Sequence, residues 1–270
     1  MDRDLFKLPL DPAALRAELI GTGLQWRQLD VVAQTGSTNA DLLARAASGV
    51  DIDGAVLIAE HQTAGRGRHG RGWLASPRVQ ITMSIGVGVA DIPVATWGWL
   101  SLATGVAVVD TVTPMIDTTG VNAGLKWPND VLVGGGKLAG ILAEVARPVI
   151  VVGVGLNVTQ APEEVDSPGA TSLFDLGVPT PDRDQLVRGL LRALDARVGQ
   201  WRNTDPQLKA DYRACSLTLG TRVRVELPGG KDVVGTARGI DEQGRLCLET
   251  EGSAEGQTVV ISAGDVVHLR

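Results

Sequence analysis

Hydrophobic and polar positions follow two different patterns along the chain, and the change comes near residue 215. Before that point, apolar residues at helical spacing alternate with short, continuously apolar stretches, which is typical of amphipathic helices and buried strands. This pattern predicts helices at 13–20, 40–47 (capped by Ser37 or Thr38), 93–112, 182–201 and 205–214. It predicts strands at 29–33, 55–60, 80–89, 131–133, 137–145 and 149–158.

After Cys215, short valine-rich stretches alternate with glycine turns. This spacing predicts a small β-barrel of about 55 residues. Its expected strands are 222–227, 233–240, 245–249 and 258–261. We therefore place a domain boundary near residues 214–217, which divides the chain into units 1–215 and 216–270.

Composition makes the chain an ordinary globular protein, with 44% hydrophobic and 21% charged residues. Its two cysteines have no CxxC spacing, and its three histidines form no metal-ligand pattern, which argues against a disulfide framework and a cysteine-based zinc site. The first twelve residues lack the apolar region of a signal peptide. We expect no transmembrane helix, because no apolar run reaches about 18 residues without a polar break. The expected location is the cytoplasm.

Charge is unevenly distributed. The net charge is −6, yet residues 61–78 carry four arginines and no acid, so the rest of the chain sums to −10. An acidic body does not bind nucleic acid or an anionic membrane through bulk charge. The cationic segment predicts either a local anion site or a solvated loop, and its many glycines favour the anion site.

The segment Gly65–Trp73 matches the pattern G-x-G-x-x-G over its first six residues. No helix-forming sequence follows it, so a dinucleotide-binding fold is not indicated. Kinase and P-loop motifs are also missing. Glycines let backbone amides approach a ligand, and arginines offer planar charged forks for carboxylate and phosphate. The pattern thus predicts a flexible loop that folds over an anion.

A second motif, Lys126–Asp130 (KWPND), predicts a turn that places Asn129 beside Asp130. An amide and a carboxylate there could hold Mg²⁺ or a ribose-phosphate, although a plain turn pair is the commoner arrangement. Lys137 lies at the start of an apolar strand. If its side chain points into the protein, it needs an anionic partner, whereas at the edge of the sheet it can extend into solvent without one. Asn157 ends an apolar strand and needs a hydrogen-bond partner.

Together these motifs resemble those of the biotin protein ligases, over most of the chain from about residue 35. The matching stretches are Gly36–Asn39, Glu60–Trp73, Lys126–Asp130, Lys137–Leu142 and Gly153–Asn157. The resemblance implies an α+β fold: a catalytic domain like the class II aminoacyl-tRNA synthetases, with a mixed sheet and helices, followed by an SH3-like barrel.

The resemblance also implies an ATP-dependent ligase that uses Mg²⁺. Biotin is activated as biotinyl-5′-AMP and then transferred to a lysine of the biotin carboxyl carrier domain of an acyl-CoA carboxylase. We expect no nucleic-acid or membrane partner, and either a monomer or a weak dimer.

Site residues are carried over from the same resemblance, in three groups. The expected catalytic residues are Arg68, Asp130 and Lys137. The expected biotin contacts are Ser37, Thr38, Asn39, Gln62, Gly65, Arg66, Gly67, Arg68, Lys137 and Gly140. The expected ATP contacts are Arg68, Arg71, Trp73, Lys126, Asn129, Asp130 and Asn157, with Asn129 and Asp130 also near the Mg²⁺ of ATP.

Two positions depart from the family pattern: His69 replaces an arginine, and Gly36 replaces a serine that many members carry. The roughly 35 residues before Ser37 also lack the winged-helix pattern of the bifunctional members (about 60 residues long), so we expect a ligase that is not a repressor. A lipoate or octanoyl ligase on the same fold and a biotin sensor without catalysis remain as alternatives. The arginine-rich loop favours biotin, and Arg68, Asp130 and Lys137 favour catalysis.

Overall fold

The computed structural model of the protein describes residues 3–161, 169–250 and 257–269. Two sheets organise them, one of seven strands and one of five.

The seven-stranded sheet forms the body of the first unit, in the order β1-β2-β3-β7-β6-β5-β4. Only β1 and β2 run parallel, and the remaining neighbours are antiparallel. The continuously apolar stretches become its central strands because both of their faces are covered. The strands are β1 (Gln28–Val32), β2 (Ala55–Ala59), β3 (Gln80–Gly88), β4 (Ala123–Lys126), β5 (Asp130–Val133), β6 (Gly136–Ala146) and β7 (Val149–Asn157).

Five α-helices accompany this sheet, and most begin at a residue whose side chain caps the backbone. Asp11, Asp182 and Asp205 accept hydrogen bonds from the first-turn amides of their helices, as aspartate commonly does at this position. Ser37 does the same for the second helix. The helices are α1 (Pro12–Leu19), α2 (Thr38–Ala47), α3 (Gly98–Ile116), α4 (Arg183–Arg202) and α5 (Pro206–Cys215).

Helix α3 is the central helix of the core. The segment predicted as a helix over 93–112 instead forms a 3-10 turn, Val94–Thr96, followed by α3, which continues to Ile116. Within the described residues, the stretch Val94–Ile116 is long and apolar enough to cross a membrane, but 67% of an apolar 18-residue segment of it is buried inside the fold. Its apolar side chains are thus covered by the protein's own core.

The second sheet has the order β11-β10-β9-β8-β12 and is antiparallel throughout. Four of its strands coincide closely with the predicted ones. The fifth, β12, was not predicted. The strands are β8 (Arg222–Glu226), β9 (Asp232–Ile240), β10 (Leu246–Thr250), β11 (Thr258–Ile261) and β12 (Asp265–His268).

The two sheets are joined by a close contact at the turn before β10. The indole nitrogens of Trp99 and Trp127 donate hydrogen bonds to the carbonyls of Asp241 (2.9 Å) and Gly244 (3.1 Å). A Cβ on Gly98 would lie 2.3 Å from a carbonyl oxygen of the same turn. Glycine is therefore required there, and this contact fixes the second sheet against the end of α3.

Candidate functional site

A cavity of about 360 Å³ lies between the glycine–arginine loop, the seven-stranded sheet and strand β12. Most of the residues that the sequence predicted for the site line it, although they come from distant segments. These are Ser37, Thr38, Asn39, Gln62, Arg66, Gly67, Arg68, Arg71, Trp73, Lys126, Asn129, Asp130, Lys137 and Gly140. Two predicted residues, Gly65 and Asn157, do not line it.

One end of the cavity is neutral and built from the first turn of α2. Thr38 donates hydrogen bonds to Gln62 Oε1 from both its backbone nitrogen (2.8 Å) and its hydroxyl (3.0 Å). The hydroxyl of Ser84, on β3, lies 2.6 Å from both Thr38 Oγ1 and Asn39 Oδ1. All of these groups except Gln62 are buried. Buried, hydrogen-bonded polar groups hold fixed positions, so this end presents a preformed set of donors and acceptors.

Asn39 extends the neutral end toward the loop. Its amide donates to the carbonyl of Leu142 (3.1 Å) and to Glu144 Oε2 (2.8 Å), and the same carboxylate oxygen pairs with Arg66 (3.2 Å). A Cβ on Gly153 would lie 2.4 Å from Asn39 Oδ1. The glycine on the sheet floor is thus what makes room for the asparagine.

The other end is charged, and Lys137 and Asp130 form its centre. Lys137 Nζ lies 2.7 Å from Asp130 Oδ1, and 28% and 20% of these side chains are exposed. They lie on the neighbouring antiparallel strands β5 and β6, where Asp130 is opposite Gly140 and Lys137 is opposite Leu132, so the ion pair runs diagonally between the strands. Lys137 therefore has the anionic partner that an inward lysine requires. Its ammonium also lies 5.4 Å from the centre of the Trp73 ring, within the range of a cation–π contact.

Arg68 supplies a second cation at this end. It donates to Asn129 Oδ1 (3.1 Å), and Asn129 is itself held by its amide on the carbonyl of Ile141 (2.9 Å). Burial lowers the pKa of Arg68, while the nearby charge of Asp265 acts in the opposite direction. A guanidinium stays protonated under such conditions, so Arg68 keeps its charge.

Asp265 was not predicted for the site, yet two of the three arginines of the loop, Arg68 and Arg71, meet its carboxylate. Arg68 approaches it to 3.4 Å and Arg71 to 2.9 Å. Asp265 belongs to the second sheet and is 194 residues from Arg71 along the chain. No local pattern in a sequence reveals such a contact.

The loop itself is held in shape by its backbone. The amide of Gly67 donates to the carbonyl of Arg71 (2.7 Å), and the amide of Trp73 donates to that of Gly65 (2.8 Å). His69 adopts a left-handed conformation at the tip, with φ of 54°. A Cβ on Gly65 would lie 2.1 Å from the Trp73 carbonyl oxygen, so glycine is required where the two sides of the loop meet.

Trp73 lies flat against the floor of the cavity. A Cβ on Gly155 or on Gly140 would lie 2.3 or 2.9 Å from its ring, so these two glycines provide its place. Its indole nitrogen donates to Gln80 Oε1 (2.9 Å). Gly140 was predicted to contact biotin. In the structure it lies against the Trp73 ring, so a biotin bound beside Gly140 would also lie next to this ring.

Asn157 lies behind the cavity, where its amide is fully engaged. It donates to the carbonyls of Lys137 (3.3 Å) and Thr171 (2.9 Å) and accepts from Gln80 (2.8 Å). These contacts supply the partner that its burial requires. They hold the backbone at Lys137, and a contact with ATP stays a prediction.

Several residues at or beside the cavity escaped the sequence reasoning, and one group of them, of which Gln80 lines the cavity, carried a signal. Gln80, Thr82 and Ser84 are polar at every second position of a buried strand, which places them on one face of the sheet. The unpredicted lining residues include Gln80, Met83, Trp127, Ile141, Leu142, Gly153, Gly155, Asp265 and Val266.

The described part of the cavity offers few side chains that could bind a metal ion. Throughout the described ranges, no group of three or more histidine, cysteine, aspartate or glutamate side chains is arranged to hold a metal ion. Asp130 is the carboxylate that the KWPND turn offers, and it is paired with Lys137. This donor set suits Mg²⁺ bound mainly through the phosphates of a nucleotide, with at most one protein carboxylate.

Comparison with known proteins agrees with these motifs. The model of the biotin/lipoate A/B protein ligase family matches residues 33–159, and that of the biotin protein ligase C-terminal domain matches residues 218–269. The biotin–[acetyl-CoA-carboxylase] ligase of Mycobacterium tuberculosis is 71% identical over 100% of this chain and 99% of its own.

More distant relatives share the same span. The bifunctional ligase/repressor BirA of Escherichia coli is 32% identical over 92% of this chain and 77% of its own. The structure of the Aquifex aeolicus biotin protein ligase in complex with biotin and ATP superposes with a TM-score of 0.75, at 27% identity, over 91% of this chain and 100% of that one. By its sequence and its fold, this chain belongs to the biotin protein ligases of the biotin/lipoate A/B protein ligase family.

Proposed function

We propose that the protein is an ATP-dependent ligase that activates biotin as biotinyl-5′-AMP and transfers it to one lysine of a biotin carboxyl carrier domain. The observation that carries the proposal is that one cavity joins a preformed neutral end to an end with two inward cations, Lys137 and Arg68. A carboxylic acid with a neutral, hydrogen-bonding head group fits this arrangement.

The neutral end would bind the head group of biotin. Ser37, Thr38, Asn39 and Gln62 offer hydroxyl and amide groups at fixed positions, so no charge has to be desolvated when an uncharged ring enters. Arg66, Gly67 and Gly140 would lie around the path of the biotin side chain, and Gly65, which does not line the cavity, would shape the loop beside it.

The charged end would carry the chemistry. An oxygen of the biotin carboxylate attacks the α-phosphorus of ATP, and the bond to the departing pyrophosphate breaks. Lys137 and Arg68 lie where negative charge accumulates during this step, and preorganised cations stabilise such a transition state. Asp130 orients Lys137 through the 2.7 Å ion pair. The amine of the carrier lysine then attacks the acyl carbon and displaces AMP.

Nucleotide contacts are proposed for the residues around these two cations. Arg71, Trp73, Lys126, Asn129 and Asp130 line this part of the cavity. Asn157 is proposed to act from behind it. Mg²⁺, bound with ATP, would neutralise phosphate charge, and Asp130 and Asn129 are the residues that would hold it.

We also propose two domains. Residues 1–215 form a catalytic domain like the class II aminoacyl-tRNA synthetases, which the mixed seven-stranded sheet supports. Residues 216–270 form an SH3-like domain, which the five-stranded antiparallel sheet and the family match at 218–269 support. The carrier of an acetyl-CoA carboxylase is the proposed partner, and the cytoplasm the proposed location.

The test combines purified protein, MgATP, biotin and a biotin carboxyl carrier domain, and measures the mass of the carrier. A gain of one biotin on a single lysine is expected, together with biotin-dependent release of pyrophosphate. Parallel reactions with lipoate and octanoate examine the other activity of the family. Pyrophosphate release that depends on lipoate instead of biotin, or no release with any acid, would overturn the proposal.

A further inference from the structure

Asp265 occupies an unusual position for a residue of the second sheet. It begins β12 and lines the cavity of the first sheet, and 36% of its side chain is exposed. The turn before it passes very close to β8, since a Cβ on Gly264 would lie 2.6 Å from Val225 Cγ1 and 2.9 Å from the Glu226 carbonyl oxygen. The backbone that carries Asp265 is therefore held by close packing.

Two guanidinium groups converge on this turn. Arg71 lies 2.9 Å from the carboxylate, and Arg68 lies 3.4 Å from it and also donates to the Gly264 carbonyl (3.2 Å). Arg71 in turn donates to the Arg68 carbonyl (3.3 Å). Two cations this close repel each other, and the carboxylate beside both of them offsets the repulsion.

The two arginines depend on Asp265 to different extents. Arg68 is held from a second side by Asn129, and 17% of its side chain is exposed. Arg71 is 61% exposed, and a long, exposed side chain retains many rotamers unless a partner restricts them. An arginine that is already ordered loses less entropy when it binds a phosphate.

We propose that Asp265 is a positioning residue for the nucleotide. It holds Arg68 and Arg71 with their guanidinium groups at the charged end, where they bind the phosphates of ATP. Asp265 acts through the arginines and does not contact the neutral end. The inference rests on the proposed function, and it makes the second sheet part of the nucleotide half of the site.

The test compares steady-state constants of the full-length protein and Asp265→Asn in biotin-dependent pyrophosphate release. The KM for ATP should rise about tenfold, which is the effect of losing one charged contact, while the KM for biotin stays within about twofold. The fall in kcat should be smaller than the rise in the KM for ATP, because Asn129 still holds Arg68. Asp265→Glu should recover part of the loss. The matched control is Asp232→Asn, which removes an exposed carboxylate of the same sheet, 3.5 Å from Arg224 and outside the cavity.

Three outcomes would overturn the inference. An unchanged or lower KM for ATP would show that the carboxylate does not order the arginines or that it competes with phosphate. An equal rise in both KM values would indicate general damage to the site. If the wild-type protein itself shows no biotin-dependent release, the proposed function fails and this inference fails with it.

Discussion

The two ends of the cavity are built in different ways. The neutral end consists of buried groups from α2, β3 and the strand-loop junction at Gln62, and each of its polar atoms described above is hydrogen-bonded within the fold. The charged end is assembled from three separate segments: the glycine–arginine loop, the β5–β6 hairpin and the turn before β12. Its groups are more exposed and are held mainly by ion pairs.

This difference assigns the recognition of the ligand to the neutral end and the reaction with ATP to the charged end. Groups held by the core present a fixed shape, which suits discrimination between neutral ligands. Cations that carboxylates hold in place are already ordered, so they lose less entropy when a phosphate binds. We therefore expect substitutions at the neutral end to change the binding of biotin and those at the charged end to change the reaction with ATP.

The largest effect is expected for Lys137→Ala. It removes the cation beside Asp130 and should slow formation of the adenylate by about 10²–10³-fold, as loss of one preorganised transition-state donor does. Single-turnover measurement of pyrophosphate release reports this step. Lys231→Ala, at an exposed position of the second sheet's first hairpin, is the matched control. Near-normal rates for Lys137→Ala would remove Lys137 from the chemistry.

A smaller effect, on the binding of biotin and not on the reaction with ATP, is expected at the neutral end for Gly153→Ala. The new methyl group would lie 2.4 Å from Asn39 Oδ1 and would displace the buried amide from its partners. Loss of a buried hydrogen bond should raise the KM for biotin by about one to two orders of magnitude while the KM for ATP stays nearly constant. Gly239→Ala, in a strand position with nothing within 4 Å, is the control. Equal changes in both KM values would contradict the division between the two ends.

The smallest effect concerns pH and His268, which lies next to the charged end. Burial, and then the charge of Lys126, lower the pKa of His268 below its ordinary value of 6.5. The unfolded chain therefore takes up a proton more readily than the folded protein. The stability that this contributes is complete above pH 6.5 and decreases as the pH falls toward the folded pKa.

Thermal melts at pH 7 and pH 5.5 measure this contribution. Between pH 7 and pH 5.5, the Tm of the wild-type protein should fall by at most about 2 °C more than the Tm of His268→Gln. The difference is small because the imidazole is only partly buried. An equal or larger loss for the variant would show that His268 takes up its proton as easily in the folded state.

Much of the fold is predictable from the sequence because its elements have strong periodicity or caps. The helix after Ser37, the continuously apolar strands β2 and β7 and the alternating strand β3 have the expected type and nearly the expected bounds. Strand β4 was missed because its four residues, AGLK, show no β-branched pattern, and it is stabilised by pairing with β5. Strand β12 is equally short.

The residues of the candidate site also fall into two groups, those that belong to local sequence motifs and those that only long-range contacts bring into the site. Most residues of the compact motifs, such as Arg66 and Arg68 of the loop and Asn129 and Asp130 of the KWPND turn, were predicted for the site and line the cavity. Asp265 was missed because its partners in the loop lie 194 or more residues away along the chain. Asn157 was found through its motif, its amide is engaged by backbone carbonyls, and its contact with ATP stays a prediction.

The close contact between α3 and the turn before β10 has a consequence for how this protein can diversify. Trp99 and Trp127 each use a carbonyl of the second sheet as acceptor, and Gly98 leaves no room for a larger residue. Exchange of the second sheet with that of a distant homologue would have to preserve the turn geometry and a carboxylate at position 265. The two units are thus expected to evolve together, because a substitution on one side of this contact would favour a compensating substitution on the other side.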